Sequence, residues 1–262
     1  MLHPLSLHDL DSPAVRERLL QAKAQRKSRV VMIAPAFNEA GKIERVVDAW
    51  PRDLVDTFLI TDDGTTDGST ETARAMGATV LATERRQGIG IAIRRGLDYA
   101  KENKYDIAVI IAGNGKDDPA QVHRLLYPLL LQDFDYVQGS RYLEGGHFGK
   151  MPKHRQIVTR VYPLLLRIFT RRQVTDGTNG FRAYWITAIE QSGANLHQDW
   201  LAECLEYYLA IKFYRSKLRL TEAPVSKLYP QDVGYQGYTK VRTSKMHHRL
   251  KPLFYLTLGL RR

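Results

Sequence analysis

The chain has 262 residues, is 44% hydrophobic and carries a formal net charge of +11. That length holds one sizeable core, so one α/β domain is expected, and no apolar run approaches the roughly 20 residues of a membrane-spanning helix. The single cysteine, Cys204, rules out an internal disulfide and fits a reducing compartment, and the charge calls for a polyanionic partner: phosphorylated substrates, an anionic membrane surface or nucleic acid.

Residues 1–28 mix Leu with Arg, Lys and Gln and lack the apolar core of a signal peptide. Ser12-Pro13 opens an amphipathic helix through Ala24, and Gln25 to Ser28 reads as a basic connector. A strand at 29–34 runs into Pro35-Ala36-Phe37-Asn38-Glu39, with a helix at 41–49 behind it. A second, at 57–61, runs into Asp62-Asp63-Gly64-Thr65-Thr66-Asp67-Gly68, followed by a helix at 68–76 and a third strand at 79–81. Short apolar runs that end abruptly in polar, Gly-rich sequence before a helix mark parallel strands with functional loops at their carboxyl ends. The adjacent Asp62-Asp63 can accept from a base edge, hold ribose hydroxyls or approach a metal, whereas Asp67 and Ser69 also suit helix capping.

Gln87-Gly88-Ile89-Gly90 leads into Arg94 and Arg95. It is no dinucleotide fingerprint, because G-x-G-x-x-G would need Gly at position 93, but such a helix start can still receive a phosphate. Residues 106–111 form the most apolar strand so far, hence a central one, and end in Ala112-Gly113-Asn114-Gly115-Lys116-Asp117-Asp118-Pro119 before a helix at 120–132. A strand at 134–138 ends in Gly139-Ser140-Arg141-Tyr142. The helix at 156–170 is apolar around much of its circumference, so it is buried or lies on something apolar. Asp176 to Tyr184 is a turn entering a strand, a helix at 200–213 follows Asp199, and 217–224 is a late strand. The remaining chain interleaves Lys, Arg and Tyr and closes on Phe254-Tyr255-Leu256 and Arg261-Arg262.

Ala34-Pro35-Ala36-Phe37-Asn38-Glu39, the Asp62–Gly68 stretch, Gly88-Ile89-Gly90 with Arg94, Gly139-Ser140-Arg141-Tyr142 and Asn179-Gly180-Phe181-Arg182-Ala183 follow one another in that order. Together they resemble the family 2 inverting glycosyltransferases of GT-A fold, and within them the polyprenyl-phosphate enzymes of the dolichol-phosphate mannose synthase type. The resemblance covers residues 29–225. It implies an α/β, Rossmann-like, mostly parallel sheet flanked by helices; the residues themselves place an N-terminal helix and connector (1–28) before it and a basic aromatic tail (226–262) after it. It also implies inverting transfer of a sugar from a nucleotide-sugar donor to polyprenyl phosphate by direct displacement. Pro35, Phe37, Glu39 and Asp63 would hold base and ribose, with Asp62 bracing that loop and Arg94 supporting the loops around the donor. Arg141 and Arg155 would meet phosphates, and Thr159 stands where the family often has Ser. The family's metal-binding Asp-Ala-Asp falls on Ala112-Gly113-Asn114. Ala cannot ligate, and Asn114 alone is a poor ligand for a hard cation. Either Asn114 with Asp117 or Asp118 restores a magnesium or manganese site, or Lys116 places an ammonium where the cation's charge was needed, or the site is silent. Asp118-Pro119 equally suits a helix cap.

The acceptor stays open between two chemistries. A lipid phosphate arrives anionic and needs alignment and charge neutralisation. A hydroxyl of a soluble or glycolipid acceptor needs a general base, for which Asp199 is the candidate, although Asp199 also suits an N-cap. The tail would suit a peripheral anionic membrane surface, a cover for the site or an arm of a homo-oligomer. The expected place is cytoplasmic, at the inner membrane face. Nucleic acid is not an expected partner, because carboxylate-tipped strands have no use there. A sugar-nucleotide-binding protein without turnover is the rival from a different class.

Overall fold

The computed structural model describes residues 10–151, 153–228 and 246–260. In chain order the elements are α1 (Pro13–Arg26), β1 (Val30–Ala36), α2 (Ile43–Asp48), β2 (Thr57–Asp62), α3 (Ser69–Ala75), β3 (Thr79–Leu81), α4 (Ile89–Glu102) and β4 (Ile107–Ile110). A 3-10 turn (Pro119–Gln121), α5 (Val122–Leu131), β5 (Tyr136–Ser140), α6 (Lys153–Thr170), β6 (Arg182–Trp185) and α7 (Ile186–Gln191) follow. A second 3-10 turn (Asp199–Leu201), α8 (Leu205–Arg215), β7 (Leu220–Pro224) and α9 (Met246–Thr257) complete them. The seven strands make one sheet in the order β3-β2-β1-β4-β6-β5-β7. Neighbours are parallel except at β6, which runs against both β4 and β5. This is the mostly parallel α/β sheet that the sequence predicts.

The strands read as unbroken apolar runs because both faces of the sheet are covered. In β1, Val30, Met32 and Ala34 face one apolar layer and Val31 and Ile33 the other; in β4, Ile107 and Val109 oppose Ala108 and Ile110 in the same way. Helices α1, α2 and α5 cover the first face, and α4, α7, α8 and α9 cover the second. Helix α1 starts as its sequence predicts, with Ser12 Oγ accepting from Val15 N at 3.3 Å and Pro13 in the first turn. Its Val15, Leu19 and Ala22 enter the main core.

Several boundaries differ from the expectation, for local reasons. Strand β1 runs on to Ala36 through Pro35. A proline is tolerated there because β1 pairs with β4 only as far as Ile33, and beyond that with β2 alone. Strand β5 begins two residues later than expected, at Tyr136. Phe134 N instead closes the end of α5 on Pro128 O, and Asp135 Oδ2 accepts from Arg219 N at 2.7 Å. Helix α8 begins at Leu205, because the Ala202 carbonyl accepts from Gly90 N at 2.7 Å and is lost to a continuous helix. Within the tail, α9 packs Leu253 and Leu256 into the second core layer, whereas Tyr229, Tyr235, Tyr238, Lys240, Arg242 and Lys245 lie outside the described residues.

The contact between α4 and the 199–202 turn gives a test. A Cβ at Gly90 would stand 2.1 Å from the Leu201 carbonyl oxygen and 2.8 Å from that of Ala202. In an exposed helix Gly→Ala stabilises by about 1 kcal/mol. Here Gly90→Ala is expected to destabilise by about 2 kcal/mol, read from the midpoint of urea unfolding.

Candidate active site

Loops at the carboxyl ends of β1 and β2 are laced together by their own polar side chains. Asn38, held at φ +53°, accepts from Thr66 N at 2.9 Å and donates its own N–H to Thr65 Oγ1 at 3.2 Å. Asp67 Oδ2 accepts from Ala40 N at 2.9 Å, and Oδ1 accepts from Ser69 Oγ at 2.6 Å. Burial pushes the Asp67 pKa up, but the Ser69 and Ala40 donors outweigh it and leave the carboxyl below its ordinary value. Asp62 Oδ1 accepts from Thr65 N at 2.9 Å, which closes the loop after β2.

Asp63 folds the 83–90 segment over the end of β2. Its Oδ1 accepts from Gln87 N at 2.7 Å and Gly88 N at 2.9 Å, and Arg86 Nε stands 3.5 Å from Oδ2. The Arg86 guanidinium also lies 4.4 Å from the centre of the Phe37 ring, so the face expected to meet a base carries a cation. The bracing expected of Arg94 is made by its neighbour: Arg95 donates to the Asp62 carbonyl at 3.1 Å and the Ala82 carbonyl at 2.6 Å. Gly88 N is committed to Asp63 and Gly90 N to Ala202, so these two amides are not available to a phosphate. The glycines serve close packing against the 199–202 turn instead.

Positive charge gathers after β4. Lys116 is 5% exposed. Burial, then repulsion from Arg155 and Lys227, outweighs the attraction of Glu39 and Asp117 and lowers the Lys116 pKa to about 7. Glu39 Oε2 accepts from Lys42 Nζ at 2.8 Å, and burial pushes its carboxyl up despite that partner. Asp117, with a fully buried side chain, accepts from Lys227 Nζ at 2.6 Å through Oδ1 and from Ala112 N at 3.3 Å through Oδ2. Lys227 Nζ also reaches Asn179 Oδ1 at 3.3 Å. Asn114 Oδ1 accepts from Lys116 N at 3.3 Å, and Asp118 caps the following turn through Ala120 N at 3.0 Å.

These donors do not fit a hard divalent cation. The buried carboxylate of Asp117 is neutralised by a lysine, and the Asn114 oxygen holds backbone. Among the described residues no three His, Cys, Asp or Glu side chains gather as a ligand set.

Of the remaining expected residues, Arg141 is forked onto Asp176, with Nε to Oδ2 at 2.6 Å and Nη2 to Oδ1 at 2.8 Å, and Nη2 also donates to Thr178 Oγ1 at 2.7 Å. Arg141 and Asp176 are both buried. Thr159 Oγ1 donates to the Arg155 carbonyl at 2.9 Å and shares a hydrogen bond with Tyr142 OH, which fixes the first turns of α6. Pro35 is half-buried at the end of β1. Asp199 is exposed in its 3-10 turn and lines an open pocket with His197, Gln198 and Trp200. That turn is seated on Gly88 and Gly90, one layer from Asp63.

Lys42, Arg86, Asp176 and Lys227 join the site without having been singled out for it. A basic residue just ahead of Gln87-Gly88 marked Arg86, and Asp176 lay in a stretch read only as a turn. No spacing ties position 117 to position 227.

A model of the family described as Glycosyl transferase family 2 matches residues 31–193. A UDP-N-acetylglucosamine--dolichyl-phosphate N-acetylglucosaminyltransferase of Methanococcus voltae is 24% identical, over 84% of this chain and 94% of its own length. An undecaprenyl-phosphate mannosyltransferase of Micrococcus luteus is 29% identical, over 76% of this chain and 83% of its own. Among solved structures, glucosyl-3-phosphoglycerate synthase from Mycobacterium tuberculosis, in complex with Mn2+, UDP and phosphoglyceric acid, matches with a TM-score of 0.67 at 22% identity. That match covers 94% of this chain and 83% of that one, and it agrees with the α/β fold described above.

The two lysines after β4 and β7 should respond to mutation with opposite signs. The Lys116 pKa falls to about 7 on folding from an ordinary 10.5, so unfolding takes up a proton between those values. The folding penalty is full below the lower value and fades as pH rises to the upper one. Lys116→Met is therefore expected to raise the thermal midpoint by about 5 °C near pH 6.5, a gain that shrinks steadily toward pH 10 in a differential scanning series. Lys227→Met strands the Asp117 carboxylate and should cost about 3 kcal/mol in urea unfolding, part of it recovered when Asp117→Asn is added.

Proposed function

The chain belongs to glycosyl transferase family 2, and we propose that it transfers a sugar from a nucleotide donor to polyprenyl phosphate, with inversion and by a single displacement. The observation behind this reading is the crowd of cations at the carboxyl ends of β1 and β4, where burial, with the added repulsion of Arg155 and Lys227, lowers the Lys116 pKa to about 7. A buried ammonium poised near neutrality takes up its proton when an anion arrives. Transfer between a diphosphate leaving group and a phosphate nucleophile brings two anions together, and this cluster supplies the opposing charge. The named acceptors of the Methanococcus voltae and Micrococcus luteus relatives, dolichyl and undecaprenyl phosphate, agree with that chemistry.

As the bond from the anomeric carbon to the donor diphosphate breaks, its electron pair and negative charge move onto the leaving oxygen. Lys116, charged in the bound state, stabilises that charge. An acceptor phosphate oxygen attacks the opposite face of the sugar as an anion already, so no proton has to be removed and the new bond forms as the old one goes. Arg155 neutralises the incoming phosphate. Glu39, Phe37, Pro35 and Asp63 shape the donor end; Asp63 acts by holding Gln87 and Gly88, and Arg141 by holding the 176–178 turn. Because the donors after β4 do not suit a divalent cation, the charge is assigned to Lys116 and Arg155.

A second reading, a hydroxyl acceptor with Asp199 as base, rests on the seating of the Asp199 turn beside the Asp63-bound loop. No described helix is long and apolar enough to cross a membrane. In this reading the acceptor is met from a peripheral position at the inner, cytoplasmic membrane face.

Calorimetric titration of UDP and GDP, with and without magnesium or manganese, tests the donor site. Binding that is indifferent to metal is expected, with net proton uptake near pH 8 that disappears in Lys116→Met. Binding that requires metal would return the charge role to a cation, and no binding of either nucleotide would sink the transfer reading. With polyprenyl phosphate as acceptor, Lys116→Met should lower kcat about 10²-fold, whereas Asp199→Asn should change it less than about threefold. A loss of about 10²-fold in Asp199→Asn with donor binding intact would favour the hydroxyl reading. Donor binding with no transfer to any acceptor would leave a silent binding protein.

A further inference from the structure

Helix α6 is apolar on two sides. Inward, Tyr162 and Leu166 are buried in the second core layer. Outward, Ile157, Val161, Leu164 and Ile168 are 64%, 48%, 55% and 63% exposed. Their spacing of four, three and four residues puts them on one stripe of the helix. Helix α9 and the turn after it extend the stripe: Phe254 and Leu258 are 48% and 66% exposed, and the Phe254 ring meets that of Phe169 edge-on at 6.5 Å. Isolated exposed aliphatics are ordinary, but a run along two adjoining helices is a patch that water disfavours.

The segment that carries most of this patch has charge of one sign. Residues 145–175 contain seven Lys and Arg and neither Asp nor Glu. Lys153, Arg160, Arg167 and Arg171 are exposed along α6 and at its end. A two-fold contact with a second copy would bring these cations against themselves. An anionic lipid surface pairs them with headgroups and receives the aliphatic stripe beneath.

We propose that the outer faces of α6 and α9 are a docking face for an anionic bilayer, with the stripe sunk to the level of the upper acyl chains. The first turn of α6 carries Arg155, whose charge is felt at Lys116, so the docking face starts where the candidate site opens. A lipid phosphate leaving the leaflet would reach the cations without its chain crossing water. This deepens the polyprenyl-phosphate reading and rests on it for the identity of the acceptor, while vesicle binding itself is measured independently.

The test is flotation of the full chain with vesicles of phosphatidylcholine alone and of phosphatidylcholine mixed with phosphatidylglycerol. Binding to the mixed vesicles, weakened by salt, is expected. Ile157→Ser/Leu164→Ser/Ile168→Ser should reduce the bound fraction about tenfold or more. Arg160→Gln/Arg171→Gln should remove most of the preference for anionic lipid. Calorimetry with UDP and GDP in the absence of vesicles should give the same affinity for the triple variant and the parent, which shows that the fold is kept. Absence of flotation, or flotation unchanged in the triple variant, would overturn the proposal. So would a dimer in light scattering that the triple variant splits while vesicle binding persists. Failure of the parent chain to bind any nucleotide would strike the transfer reading and leave the vesicle result standing.

Discussion

The buried pair of Asp117 and Lys227 joins parts of the chain that are far apart in sequence. Asp117 follows β4, Lys227 follows β7, and the Lys227 ammonium also touches Asn179, which precedes β6. Three separate approaches to the sheet are held at one point by this contact. Its carboxylate is fully buried, so either charge alone would be costly there. The same pair decides the electrostatics of the site. With Asp117 committed to Lys227, burial and the repulsion of Arg155 and Lys227 outweigh the attraction that Glu39 and Asp117 exert on Lys116.

Acidic side chains elsewhere in the site are used in the same manner. Asp62, Asp63, Asp67 and Asp176 all accept from backbone amides. A carboxylate that accepts backbone N–H groups fixes a loop as a cap fixes a helix. The acids of the site hold its loops, and its cations gather after β4. That division suits a pair of phosphorylated reactants, whose own negative charge completes the balance.

The sheet was legible in the sequence because β1, β2 and β4 are buried on both faces and read as continuous apolar runs ending in polar loops. The positions of Glu39, Asp62, Asp63 and Lys116 at those ends followed from the same pattern. What individual residues do there was less legible. Gly88 and Gly90 were visible as a Gly-rich helix start, but their partners, the carbonyls of Leu201 and Ala202, lie over a hundred residues away. Arg94 and Arg95 are adjacent in a helix, and the geometry of α4 chose the second as the brace. Phase along a helix selects between such neighbours only once the start of the helix is fixed, and that start is set by the distant turn.

The reversed direction of β6 has a consequence for how the rim of the molecule can vary. Around β1, β2 and β4 the rim is built from what comes after each strand. At β6 it is built from what comes before, and Asp176, Thr178 and Asn179 reach it from that side. Residues added or lost between α6 and β6 would therefore reshape one wall while the strand pairing of the sheet stayed as it is. The side of the opening next to α6 is, in this architecture, free to diverge independently of the side built on β1 and β2.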